Sequence, residues 1–319
     1  MNTSPADLTD LRPKRQILDR IFRGSTLGAG ALILVVLALI AYTITDRSLP
    51  ALRSEGVSFI TDRRWVPAKG VYGALSFIYG TGVTALIAVI ISVPVSIGIA
   101  LFTTQVAPLW LKKWLVSLTD LVAVVPSVVF GLWGIIFLAP KLGGFYKTVS
   151  GWFDGWPVLG TVFGHASAGR TFMTAGLILS VMITPIITSI AREVIETCPQ
   201  TDRDGALALG ATRWEMITGA VLPHSMGGIV GAVMLGLGRA MGETIAVALV
   251  IGSSPTITAN LFSSGDSLPS VIAFQWGEAT GVKRSALIAM GLTLFILTII
   301  VNLSATAVVS RATRRVQGA

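Results

Sequence analysis

One cysteine, Cys198, and two histidines, His165 and His224, are present in 319 residues. A single cysteine excludes an internal disulfide framework and is too few for a thiolate metal site. Histidines so far apart cannot form an HExxH helix, which excludes zinc hydrolase chemistry of that type. No lysine follows a glycine, so the phosphate-cradling loop GxxxxGK[ST] is absent and the chain does not hold ATP by that device. Charge is also scarce. Asp, Glu, Lys and Arg make up 13% of the chain, against about 25% in an ordinary soluble domain.

Apolar residues fill the space. They are 53% of the sequence, and mean hydropathy is +0.77. This composition describes an all-α polytopic membrane protein. The net charge of +8 would hint at nucleic acid in a soluble protein. Here the basic residues sit near the ends of apolar stretches, where they meet lipid headgroups and set orientation.

A spanning helix needs roughly 20 apolar residues, and six stretches qualify. Residues 1–26 are polar and mixed in charge. The first span follows at 27–45, with no small-residue cleavage pattern after it, so it reads as uncleaved and not as a secretory signal. A connector at 46–70 leads into spans at about 71–104, 115–139, 171–191, 225–252 and 285–309. A basic tail, 310–319, carries Arg311, Arg314 and Arg315. Lys and Arg are slightly more numerous on the side that holds both termini, which favours cytoplasmic termini. Trp152, Phe153 and Trp156 suit the headgroup level.

Pro94, Pro126 and Pro185 lie inside three of the spans, where each removes a helix hydrogen bond and invites a kink. The fifth span carries Gly227, Gly228, Gly231, Gly236, Gly238 and Gly242. Small residues let helices approach closely, so this helix is expected at the centre of the bundle.

Arg239 and Glu243 lie in the same fifth span, near mid-membrane and four residues apart. A central arginine costs roughly 2.5–3.5 kcal/mol on insertion scales. Two explanations fit: a self-neutralising ion pair, or a site that handles charge. Arginine presents a rigid fork of donors that suits an oxyanion. An ionised carboxylate only accepts. An oxyanion that keeps a proton at neutral pH, as phosphate does and sulfate does not, can donate to it. The pair therefore has the chemistry to attract the charge and check for the proton. Asp120, Ser127, Thr184, Thr188 and His224 are lesser candidates, explained as well by inter-helix bonding or interfacial position.

Between the fourth and fifth spans, about 192–224, the chain reads acidic, then briefly apolar, then Gly210 as a stop, then Thr212 as a helix cap. Two short helices at a membrane surface suit a docking partner or a plain interfacial hairpin. The run DGALALGATRWEMITGAVLP is similar to the EAA loop of binding-protein-dependent ABC importer permeases. Asp204, Gly205 and Ala206 occupy the Glu-Ala-Ala places, Gly210 the glycine, and Leu222-Pro223 the end. Asp replaces Glu, Gly replaces Ala, and Ala220 replaces Ile, with the spacing intact. In that family the loop is cytoplasmic and inserts into a cleft of an ATPase subunit.

The run GLGRAMGETIAVALVIG resembles the phosphate importer permeases of the PstC and PstA type. Their Arg and Glu in this run are linked to phosphate passage and map onto Arg239 and Glu243. The runs PSVVFGLWGIIFLAP and RRWVPAKGVYGALSFIYGT are closer to the PstC type. The resemblance implies a six-span type I (MetI-like) bundle with a permease core at 71–309, in the bacterial inner membrane. It implies a PstA-type second permease, two PstB-type subunits that bind ATP and Mg, and an extracytoplasmic PstS-type phosphate-binding protein. No cofactor, metal or catalytic residue is expected in this chain. Two alternatives stay open: a permease for another oxyanion such as sulfate or molybdate, and an ATP-independent anion carrier.

Overall fold

A computed structural model describes residues 12–166 and 169–317, with side chains described for 19–166 and 169–307. The first eleven residues of the polar N-terminal segment, and the side chains of Arg311, Arg314 and Arg315, lie outside the described residues. Among the described residues, six helices are long and apolar enough to cross a membrane.

The first, α1 (Arg12–Glu55), stands apart from the bundle along most of its length. Its C-terminal end is anchored, with Ser48 and Ala51 fully buried, and it packs against the last helix. A two-stranded hairpin follows, β1 (Trp65–Val66) and β2 (Val71–Tyr72), turned by Gly70 at φ +68°. Trp65 packs edge-on against Tyr72 and Phe77 and donates its Nε1–H to Gln275 at 3.0 Å. The aromatic run that precedes the second span thus caps one end of the bundle.

The second crossing is α2 (Leu75–Val106). The third apolar stretch departs from the expected span at 115–139. It is two helices, α3 (Leu109–Val124) and α4 (Ser127–Trp152), separated by extended backbone at Val125 and Pro126. Proline disfavours helical geometry in the residue before it, so the helix stops at Val125 and restarts beyond Pro126. The membrane-length piece is α4 and not 115–139.

Next come α5 (Phe172–Glu196), α6 (Gln200–Ala208), α7 (Arg213–Gly242), α8 (Ile245–Val250), α9 (Leu268–Gln275) and α10 (Gly281–Gln317). The expected second short helix after Gly210 is the first turn of α7, continuous with the fifth crossing. Three wide π turns occur in the long helices: Phe102–Val106 closes α2, and Gly134–Leu138 and Ile217–Val221 interrupt α4 and α7 just before Pro140 and Pro223. A proline cannot donate to the carbonyl four residues back and clashes with it; the widened turn accommodates both defects.

The centre of the bundle is α5. Buried residues make up 61% of its most apolar stretch, against 28% for the glycine-rich α7. Within this chain the glycine-rich helix is less enclosed than α5, although it packs against α2, α5 and α10. Ile178, Leu179, Ile183 and Ile187 of α5 form the main core with Ile87 of α2 and with Met241, Val247 and Ile251. A second cluster around Ala100, Ile195, Met216, Ile217, Val221 and Ile229 joins the ends of α2, α5 and α7.

Candidate functional site

The glycines of α7 serve two faces. A Cβ on Gly236 would lie 2.7 Å from Ile187 Cγ1, and one on Gly228 would overlap Val194. Without side chains there, α7 lies close against α5. Gly231 and Gly238 point elsewhere, with nothing within 4 Å of a Cβ. Their missing side chains leave a groove of about 600 Å³ between α5, α7 and α10. It is lined by Gly231, Met234, Leu235, Gly238 and Arg239 of α7, Ile186 of α5 and Asn302 of α10.

Arg239 lies in the last turn of α7, where the carbonyl end of the helix dipole favours a cation. Glu243 is not on the same helix face, because α7 ends at Gly242. Glu243 has extended backbone, φ −69° and ψ 127°, and α8 begins two residues later. Its Oε1 accepts the backbone N–H of Ala246 at 3.3 Å, near the start of α8. Its Oε2 is 3.9 Å from Arg239 Nη2, too far for a hydrogen bond.

The two partners differ in exposure. The Glu243 side chain is 7% exposed and that of Arg239 is 47% exposed. The carboxylate is thus engaged at a helix start, while the guanidinium keeps its donors for the groove. Among the described residues it donates no hydrogen bond. Discontinuous helices at membrane depth are tolerated where they line a path or are buried in protein. The sequence pointed to the pair, but not to the break between its members. Gly242, the poorest helix former after proline, was the available signal. Asn302 escaped notice altogether, although it is the one amide in the sixth apolar stretch.

The second site is the loop before α7. In α6, Asp204 is exposed and accepts from Gln200 Nε2 at 3.0 Å. Gly205 is exposed, with nothing within 4 Å of a Cβ. Ala206 packs on the cluster of Ile195, Met216 and Ile217. Arg203 Nη2 donates to the Ile195 carbonyl at 2.8 Å, which fixes α6 to the end of α5. Gly210 has φ +87°, a left-handed conformation that costs other residues roughly 1–2 kcal/mol. Thr212 and Glu215 form a reciprocal capping box. Leu222 is partly buried and Pro223 follows the π turn. The outer surface shows Leu209, 90% exposed, with Leu207 and Trp214 also exposed.

The lesser candidates are scattered. Asp120 and His224 are exposed. Thr184 donates to the Ser180 carbonyl at 2.7 Å, ordinary helix back-bonding. The Thr188 hydroxyl is buried without a partner among the described residues. Cys198 is a buried free thiol. None of these reaches the Arg239 groove.

Residues 92–314 match the family described as binding-protein-dependent transport system inner membrane component. The phosphate transport system permease protein PstC of Xylella fastidiosa is 40% identical over 314 residues, covering 98% of this chain and 96% of that protein. PstC 2 of Mycobacterium tuberculosis is 39% identical over 315 residues, covering 96% of each. PstC of Mesorhizobium japonicum is 39% identical over 287 residues, covering 89% of this chain and 88% of the relative. A bacterial alginate ABC transporter, solved in complex with its alginate pentasaccharide-bound periplasmic protein, superposes with a TM-score of 0.60 at 17% identity, covering 93% of this chain and 98% of that one. At that identity the likeness shows the fold, the MetI-like bundle of ABC importer permeases. The six crossings, the interrupted helices and the relatives that match nearly end to end place this chain in the family of binding-protein-dependent transport system inner membrane components, among its PstC-type phosphate permeases.

Proposed function

We propose that this chain is the membrane-spanning permease subunit of an ATP-driven importer that carries inorganic phosphate across the bacterial inner membrane. The observation that carries the reading is Arg239: a half-exposed guanidinium facing a groove between α5, α7 and α10, its only ionic neighbour among the described residues a buried Glu243 at 3.9 Å. Such a fork offers an oxyanion donors that need not first be released from another partner. Glu243 lies 3.9 Å from that guanidinium, and on this reading its carboxylate accepts from the protonated oxygen of a phosphate held there.

The remaining parts of the importer follow the PstC relatives. A PstA-type permease pairs with this chain, and a PstS-type protein delivers phosphate from outside. Two PstB-type subunits bind ATP and Mg and dock on the loop holding Asp204, Gly205, Ala206, Gly210, Leu222 and Pro223. Exposed Leu207, Leu209 and Trp214 on that loop supply the apolar contact such docking needs. Both termini and this loop are then cytoplasmic. The chain moves an ion and makes no bond change itself.

Competition between anions tests the cargo. Radiolabelled phosphate uptake by cells with this importer as their sole phosphate system is expected to be insensitive to a large excess of sulfate. Glu243→Gln keeps an oxygen for the Ala246 N–H and is expected to assemble normally while lowering phosphate uptake about tenfold, a loss of roughly 1.4 kcal/mol. Uptake blocked by sulfate in the wild type would favour the permease for another oxyanion. Unchanged uptake and selectivity in the variant would remove the proton check.

A further inference from the structure

Asn302 is the feature that the Arg239–Glu243 pair leaves unexplained. It sits on α10, in the apolar stretch 285–309, whose other polar side chains are all hydroxyls. Hydroxyls in a spanning helix satisfy themselves on their own backbone, as Thr298 and Thr306 do here at 2.8 Å. An amide side chain has two donors and an acceptor that need partners from elsewhere. The Oδ1 of Asn302 is buried with no hydrogen-bond partner among the described residues. Asn302 also lines the groove that holds Arg239. An amide left unsatisfied in an apolar bundle is costly, and the buried Oδ1 gains a partner only if the amide turns toward the groove and something there bonds to it.

The groove has a mixed chemistry that narrows the occupant. Arg239 supplies positive charge and donors from α7. Asn302 supplies an amide from α10 on the other wall. Gly231 and Gly238 clear the space between them. An amide turned about its last bond presents either NH₂ or oxygen to the groove, so it can donate to an anionic oxygen or accept from a protonated one.

We propose that Asn302 is a second anion-contact residue on the translocation path, bonding the oxyanion that Arg239 attracts. The inference rests on the reading of Arg239 as part of the phosphate path and extends it to a helix that carries no charge there. Asn302 gives neutral, direction-dependent hydrogen bonding, so the anion is held without adding a second positive charge that would trap it.

The test is the ratio of phosphate moved to ATP hydrolysed, in proteoliposomes of the whole importer supplied with inorganic phosphate and its binding protein. Wild type is compared with Asn302→Ala, Asn302→Asp and Arg239→Gln. The expected result is normal assembly and ATP hydrolysis, with phosphate per ATP reduced about fivefold in Asn302→Ala and further in Asn302→Asp, whose carboxylate repels the anion. A packing role predicts the opposite order, because aspartate nearly copies the shape of asparagine and alanine does not. Asn302→Asp matching or exceeding Asn302→Ala, or complex yield falling in step with transport at an unchanged ratio, would overturn the proposal. Arg239→Gln separates the two claims. Loss of transport there, with both Asn302 variants at the wild-type ratio, sinks the Asn302 assignment alone. An unchanged ratio in Arg239→Gln sinks the path reading and this inference with it.

Discussion

Arg239 was legible in the sequence because a charge inside an apolar stretch stands out against insertion cost. Its environment was not. The sequence gives a four-residue spacing to Glu243, which in an unbroken helix means a shared face. The backbone instead opens at Glu243, buries that side chain at a helix start and leaves Arg239 half exposed. Asp266 shows the same gap between residue type and environment. It lies outside the spanning helices, 7% exposed, and accepts from the Ser267 N–H at 2.8 Å and from the Ser270 hydroxyl. Burial pushes its carboxyl above the ordinary carboxylate range, partly offset by the Ser270 and Ser267 hydrogen bonds. The folded state therefore holds this proton more tightly than the unfolded chain does. Its contribution is lost as pH rises from the ordinary carboxylate range through the raised one. Asp266→Asn keeps an oxygen acceptor and removes the charge. The variant complex is expected to melt about 2–4 °C above wild type near neutral pH, corresponding to about 1 kcal/mol, with the difference shrinking at acid pH. A constant difference across pH, or a lower melting temperature near neutrality, would contradict this account of Asp266.

Helices were easy to count and hard to delimit. Six apolar stretches predicted six crossings, because length and hydropathy are local quantities. The breaks depend on backbone chemistry that hydropathy ignores. Pro126 splits the third stretch, and Gly242 with Glu243 ends the fifth. Glycine likewise leaves the packing of a helix undetermined. A glycine tells that a side chain is missing, not whether a neighbour or an open groove takes the space. On α7 both happen, at Gly236 and Gly231 respectively. Substitution separates them. Gly236→Leu drives carbon into Ile187 and is expected to destabilise the complex by about 1–3 kcal/mol, seen as a lower melting temperature and yield. Gly231→Leu meets open space, so assembly is expected to persist while phosphate uptake falls several-fold as the groove fills. Equal loss of stability in both would show that Gly231 also faces a packed surface in the assembly.

At the scale of the whole molecule, the two sites are joined by one continuous helix. α7 begins at the capped Thr212 of the exposed loop and ends beside Arg239. On the proposed function, a push on the loop by an ATPase subunit would reach the groove through this one element, interrupted by the π turn at Ile217–Val221. The loop itself was readable from its spacing, since glycine, cap and proline each carry a local rule. That the second of its short helices is the foot of the fifth crossing was not, because no polar break marks the join. Gly210→Val places a β-branched residue at φ +87°. Such a chain is expected to insert normally but to recover far less of the ATP-binding subunit on purification, with uptake lost in proportion. Normal recruitment and normal uptake would contradict the coupling role of this loop.

The central claim is that Arg239 handles the anion. It is tested most directly by radiolabelled phosphate uptake in phosphate-starved cells whose only importer contains this chain, wild type against Arg239→Gln, with membrane level and ATPase co-purification measured in the same samples. The account predicts an intact complex and uptake reduced at least tenfold. Wild-type uptake from an intact Arg239→Gln complex would make the pair structural and contradict it.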